Sequence, residues 1–374
     1  MQKLSAWYRG SVLPRFVFLP FLVMRLFPIP FGIFRKGSHR ADATKLCIEA
    51  GIHGWDSIEF KELYASACEY LDKENVQKII IDKDSPYLAQ VQLAIGTIKP
   101  THYFYDPRTG SQNWIKGLWE AFYISLFLHA NGIIPVVLLT DFGLRKWRTQ
   151  SAVVTARRGV VITFIAAKEV AAIFPHHRIV GPSLMPLSVA TLNLLDALAS
   201  ERLEQSPATA IFVGSLYEPR TSILTSIATG LKEQGHVLEI HGRKLGSPRI
   251  SDQEYWANIV NASVILTTSN QTEMDESDWT WIDHMVYRYL EVIACGTLLV
   301  APDVPGVNRY FTPGVHYAAF GTVNEAIEII AQYLTNSAER KALAKQGSEK
   351  ARALVCARTF WTGIDAALGP DSFT

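Results

Sequence analysis

The chain has 374 residues, of which 48% are apolar and 19% charged, with a formal net charge of +1. That length exceeds one ordinary core and suits two domains of roughly 150–190 residues. Cys47, Cys68, Cys295 and Cys356 are far apart, with no CxxC and no His at ligand spacing. Their spacing suggests neither a disulfide framework nor a zinc site and fits a reducing cytosol; no metal and no nucleic-acid partner are expected.

Residues 1–41 carry Lys3, Arg9, Arg15, Arg25, Arg35, Lys36 and Arg40 and no Asp or Glu, so the remainder stands at −6. Two apolar blocks, Phe16–Met24 and Leu26–Phe34, are split by Arg25 and interrupted by Pro20, Pro28 and Pro30. Neither reaches the ~20 residues of a spanning helix, and no small-residue cleavage site follows them. Two readings stay open: a basic, aromatic arm lying in an anionic membrane interface, or an irregular arm packed under the first domain. The first places the protein in the cytoplasm, peripheral on the inner face of the cell membrane.

From residue 42 short apolar runs alternate with helical stretches, the pattern of parallel strands joined by crossover helices. Strands are expected at Leu46–Ala50, Lys78–Ile81, His102–Tyr105, Ile133–Leu139, Ala152–Thr155 and Val160–Phe164, with helices near 57–71, 86–97 and 112–130. A helix near 186–204 and the linker Gln205-Ser-Pro207 lead to a second series. Its strands are Ala210–Val213, Val237–His241, Ser263–Thr267 and Thr297–Ala301, and its helices lie near 220–234, 252–261, 279–295 and 322–335. The fold class is α/β: two Rossmann-like doubly wound domains facing a cleft, 42–204 and 205–356, closed by a helix over 357–374.

Ligands of open α/β sheets bind at the carboxyl ends of strands, which selects the loops to read. Gly51-Ile-His53-Gly54 after the first strand lets backbone approach a ligand, while His53 is either a general base or a simple hydrogen-bonding group. Tyr105-Asp106-Pro107-Arg108 holds two charges rigidly; the pair either recognises an acceptor or clasps itself. Arg145, Lys146, Trp147 and Arg148 form a basic cluster suited to a polyanionic acceptor, a lipid phosphate or solvent. Phe212-Val213-Gly214-Ser215, leading to Arg220, reads as a strand, a glycine turn and a helix start whose free amides attract phosphate. Gly242, within His241-Gly242-Arg243-Lys244, lines a base or phosphate pocket or forms a surface turn. The acids Glu273, Asp275, Glu276 and Asp278 read as the solvated start of a helix.

That helix, expected over 279–295, puts His284, Arg288, Glu291 and Cys295 near one stripe and Asp283, Tyr287 and Glu291 on an overlapping one. Charges thus meet a face that should be buried, and a buried carboxylate needs a partner, whether a ligand or Arg288 at i,i+3.

The run Arg288-Tyr-Leu-Glu291-Val-Ile-Ala-Cys-Gly296, followed by Pro305-Gly306, Phe311-Thr-Pro-Gly314 and Ala338-Glu-Arg-Lys-Ala-Leu-Ala-Lys-Gln-Gly347, resembles the carboxy-terminal domain of GT-B glycosyltransferases. The resemblance is strongest over 208–365. In retaining members two glutamates with seven residues between them frame a nucleotide-sugar donor, the second holding the ribose hydroxyls. Matched by position, Glu291 is the second; Asp283 stands at the first place as Asp. The resemblance further implies Arg220 at the donor diphosphate, His53 in the loop that carries the base of inverting members, and a last helix crossing back to the first domain.

It also implies a transferase that binds no resident cofactor, takes a UDP- or GDP-sugar as co-substrate, and glycosylates a glycan, lipid-linked or other cell-envelope acceptor. Donor-binding residues are Gly214, Ser215, Arg220, Gly242, Arg288 and Glu291; catalytic candidates are His53 and Asp283; acceptor candidates are Asp106 and Arg108. The alternatives are a nucleotide-sugar 2-epimerase and a non-catalytic sugar- or nucleotide-binding scaffold of an envelope assembly complex.

Overall fold

The structure, a computed structural model, describes residues 45–369 apart from 53–57, 83, 106–112, 140–158, 165–170, 172–176, 203–207, 245–249, 269–284 and 305. The amino-terminal arm, the strand expected at 152–155, the linker at 205–207, and His53, Asp106, Arg108 and Asp283 therefore lie outside the described residues.

The first sheet consists of β1 (Leu46–Ile52), β2 (Val76–Ile81), β3 (His102–Tyr105), β4 (Ile134–Leu139), β5 (Val160–Thr163) and β6 (Arg178–Val180). All pairings are parallel, in the order β2-β1-β3-β4-β5-β6. Central strands such as Ile-Pro-Val-Val-Leu-Leu read as continuous apolar runs because both faces are covered. Cys47, Tyr103, Val137 and Val161 pack on one face against α2 (Tyr87–Ile98) and α3 (Trp114–Ala130). Leu46, Ile48, Phe104 and Leu138 pack on the other against α1 (Ile58–Leu71).

The second sheet runs β11-β10-β9-β7-β8, from β7 (Ala210–Leu216), β8 (Leu238–Lys244), β9 (Val264–Leu266), β10 (Leu298–Pro302) and β11 (Ala318–Phe320). Around it lie α5 (Arg220–Glu233), α6 (Asp252–Asn261), α7 (Arg288–Ala294), α8 (Val323–Thr335) and α9 (Ser337–Leu354). In both sheets the first strand sits between the second and third, so strand order reverses at β1/β3 and at β7/β9, the places where such sheets bind ligands. The doubly wound pair expected from the sequence is present.

The two lobes are joined at several points. α4 (Val189–Ser200) starts on carboxylates of α1: Ser188 N and the Thr191 hydroxyl donate to buried Glu62 at 2.6 and 2.5 Å, and Val189 N to Glu69 at 2.8 Å. α10 (Ala357–Leu368) ends the described chain inside the first lobe. Its Trp361 is fully buried, donates to Ser66 Oγ at 3.1 Å and meets the Phe104 ring edge-on at 6.1 Å.

Two three-residue strands, β6 and β11, went unread in the sequence; both are sheet-edge strands too short for a period to register. The helix expected over 279–295 is corrected more substantially. Met285 and Val286 are not helical, and α7 begins only at Arg288. The reason is tertiary: Met285 is buried in the second lobe's core while its N–H donates to Phe164 O at 3.3 Å in the first, so the backbone there serves the lobe junction.

Candidate functional site

A cavity of about 430 Å³ opens between the lobes, within the range usual for small-molecule sites, ~300–1,000 Å³. Its floor is the carboxyl ends of β7 and β8, with Val213, Gly214 and Ser215 beside His241, Gly242 and Arg243. One wall is α6, through Asp252, Glu254, Tyr255 and Asn258; another is α7 with its approach, through Tyr287, Arg288 and Glu291. The first lobe supplies Ile58 and Glu59 at the start of α1.

Glycine shapes the floor. Gly214 and Gly242 face one another in the β7–β8 register. A Cβ on Gly214 would stand 3.1 Å from the Phe212 ring and 3.8 Å from Arg288 Nη2, and one on Gly242 would strike Leu216 at 2.5 Å. Bare backbone thus leaves room for the Phe212 ring and the Leu216 side chain beneath the floor. The turn expected at Gly214-Ser215 is corrected, because β7 continues to Leu216, paired with Lys244 of β8. The helix amides are displaced to α5, which starts at Arg220. Since the β7–β9 ladder stops at Ile211, this end of β7 has a strand neighbour on one side only.

α7 has seven residues, six of them buried from Tyr289 to Ala294. Its carboxyl end is closed by Gly296 at φ +73°, a left-handed conformation suited to glycine. Ser348 Oγ and Arg352 Nε donate to the Ala294 carbonyl at 3.3 and 3.1 Å, meeting acceptors that a helix end leaves open. The short helix is thereby fixed, and with it the carboxylate it carries.

Glu291 is 4% exposed. Its Oε2 accepts from the Tyr255 hydroxyl at 2.8 Å and lies 3.6 Å from Arg288 Nε, whose guanidinium sits 5.1 Å over the Tyr255 ring. Glu291 is thus paired with Arg288 at i,i+3 and forms part of the cavity wall. Oε1 has no protein hydrogen bond among the described residues, and buried Arg288 Nη1 has no partner there either. Burial pushes the Glu291 carboxyl up to about 7, against the pull of Arg288 and Tyr255 and with the help of Glu59 and Glu62. Burial opposes the charge of Arg288, but Tyr255, Glu291 and Glu59 hold it protonated. The Tyr255 phenol is raised well above its usual range by burial and stays a donor. A buried, half-satisfied carboxylate beside an orphaned guanidinium nitrogen suits a ligand bearing both hydroxyls and negative charge.

Of the expected donor residues, Gly214, Ser215, Gly242, Arg288 and Glu291 all line this cavity. Arg220 stands behind its floor, donating to Ser215 O at 3.1 Å and to Thr268 Oγ1 at 2.9 Å, with Tyr217's ring 4.4 Å away. It therefore bridges the ends of β7 and β9 at the strand-order reversal. In sequence, His53 precedes Ile58 of the cavity wall by five residues and Asp106 follows the end of β3 at Tyr105, but His53, Asp106 and Arg108 themselves lie outside the described residues. Sequence reading missed Tyr255 and Glu59. Tyr255 lies within the helix expected near 252–261, where no local pattern singles it out, and only the tertiary fold brings Glu59 across from the other lobe. Among the described residues, no group of three or more His, Cys, Asp or Glu could hold a metal, and no helix is long and apolar enough to cross a membrane.

Residues 220–359 match the family described as glycosyl transferase-like, a segment that includes Arg288 and Glu291. The whole architecture is similar to sucrose-phosphate synthase from Thermosynechococcus elongatus, at 12% identity over 87% of this chain and 97% of that one, with a TM-score of 0.57. It is also similar to Anabaena HepE in complex with UDP and glucose, at 14% identity over 87% and 99% with a TM-score of 0.54. An alpha-glucosyltransferase in complex with UDP and a 13-mer DNA aligns at 10% identity over 87% and 99%, with a TM-score of 0.56. No curated protein matches the chain in sequence. The architecture is GT-B. Within that architecture the glycosyl transferase-like match occupies most of the second lobe.

Proposed function

We propose that the chain moves a sugar from a nucleotide-sugar donor, held by the second lobe, to a glycan, lipid-linked or other cell-envelope acceptor held by the first. The observation that carries this reading is Glu291: a carboxylate in the wall of an interlobe cavity, with one oxygen held by Tyr255 and the other free of donors among the described residues. Oε1 receives the ribose hydroxyls. Arg288, with Arg220 behind the floor, offsets the charge of the departing diphosphate, the largest contribution in such chemistry. His53 and Asp283 address the reacting hydroxyl or the transferred sugar, and Asp106 and Arg108 the acceptor. Solved HepE complexes hold UDP and UDP-glucose, which supports a uridine donor ahead of GDP-sugars. The basic, apolar residues 1–41 support an acceptor at the cytoplasmic face of an anionic membrane.

A thermal-shift screen of UDP- and GDP-sugars tests the donor, because a ligand bound only by the native state raises Tm. The reading requires at least one stabilising nucleotide sugar, and label from that donor must appear in an envelope acceptor. Stabilisation by none of them removes it; sugar isomerised without an acceptor would favour the epimerase.

A further inference from the structure

Two kinds of contact join the lobes. Those around residues 181–191 are buried or rest on backbone groups. The Tyr310 hydroxyl donates to Pro182 O at 2.6 Å and Arg309 Nη1 to Gly181 O at 3.1 Å, while Ser188 N donates to Glu62, which is 6% exposed. These residues stand apart from the lining of the interlobe cavity. A contact of the other kind lies at the cavity itself: Lys61 Nζ meets Asp252 Oδ2 at 2.5 Å, and the two side chains are 38% and 41% exposed.

The position of this ion pair in the fold is specific. Asp252 opens α6 and lines the cavity three residues before Tyr255, whose hydroxyl holds Glu291. Residues so spaced share one helix face. Lys61 follows Ile58 and Glu59, the first-lobe members of the cavity wall, within the first turn or so of α1. The pair therefore ties the first-lobe wall to the helix that carries the partner of Glu291. As a fold contact it is dispensable. Exposed ion pairs contribute little, Asp252 already favours the amino terminus of α6 through the helix dipole, and the buried junction around 181–191 holds the lobes without it.

We propose that Lys61 is a positioning residue for the donor: its ion pair with Asp252 clasps the cavity rim over a bound nucleotide, and its opening sets the rate of nucleotide exchange. α1 and α6 are walls from different lobes, so widening the cavity between them requires this pair to part. Its side chains are open to water and counter-ions, so it can part while the buried junction stays intact. The clasp rests on the proposed donor reading of the same cavity.

The test is stopped-flow exchange of UDP and of GDP with the full chain at low and high ionic strength, beside urea unfolding of the free chain. At low salt Lys61→Met should raise the nucleotide off-rate about two- to fivefold, with no fall in the on-rate and little change in the unfolding midpoint. Lys61→Arg keeps the charge and should stay close to the wild type. In about 0.5 M salt the wild type and Lys61→Met should converge, because the exposed pair is then screened. A wild type that binds neither nucleotide removes the donor reading and the clasp with it, whereas binding with an off-rate unaltered by Lys61→Met overturns the clasp alone. So does a lowered on-rate with an unaltered off-rate, which would make Lys61 a steering charge. A difference that persists undiminished in high salt also overturns it, by assigning the effect to side-chain shape.

Discussion

Glu291→Gln separates two pH effects that the structure sets in opposition. Burial raises this carboxyl from 4.5 to about 7, which at 1.36 kcal/mol per unit is roughly 3 kcal/mol of preference for the protonated form in the folded state. The folded value lies above the unfolded one. The stabilisation is therefore complete below the unfolded value and is lost as pH rises through about 7. Donor binding runs the other way, since the ribose hydroxyls donate and only the ionised carboxylate accepts them fully. Affinity should rise about tenfold per unit up to the folded value and then level off. Gln keeps the shape and cannot titrate, so both slopes should flatten in the variant. Calorimetric titration with the donor between about pH 5.5 and about pH 8.5, alongside urea unfolding, reads both quantities. Parallel profiles for the wild type and the Glu291→Gln variant would refute the assignment, because the titrating group would then lie elsewhere.

Three other substitutions test the supporting structure. Tyr255→Phe removes the 2.8 Å donor to Glu291 while leaving a ring on which Arg288 can stack. A hydrogen bond to a charged group contributes about 1.5–3 kcal/mol, so donor affinity should fall roughly ten- to hundredfold in the same titration. Trp361→Ala takes the largest buried side chain of α10 out of the first lobe's core. It should cost about 3–5 kcal/mol in urea unfolding. Gly347→Ala would put a Cβ 2.3 Å from the His316 carbonyl oxygen and 3.0 Å from Ile293 Cγ2. It should destabilise by about 1–3 kcal/mol, whereas Gly363→Ala, with nothing within 4 Å, should be neutral or gain up to about 1 kcal/mol in thermal unfolding.

The fold was legible because its signals are local. Apolar runs such as Val136–Leu139 declare buried parallel strands, and Ser188, Ser251 and Thr322 cap helices through their own side chains. Glu291 was legible for a related reason, a carboxylate on an otherwise apolar helix followed by a terminating glycine. What surrounds it was not. Tyr255 lies 36 residues away in sequence and Glu59 comes from the other lobe. The helix expected through Met285 and Val286 does not form there because Met285 is held by burial and by a bond to the first lobe, which no local pattern encodes. The end of β7 was misread as a turn for a similar reason: Gly214 ordinarily signals a break, but pairing with β8 carries the strand through it.

The most direct measurement is a structure of the full chain with its nucleotide sugar bound. The ribose hydroxyls should stand about 2.7–3.2 Å from Glu291, with the diphosphate on the side of Arg288 and the ends of β7 and β9. A nucleotide bound outside this cavity, or a Glu291 still held only by Arg288 and Tyr255 while other groups grip the ribose, would contradict the central claim.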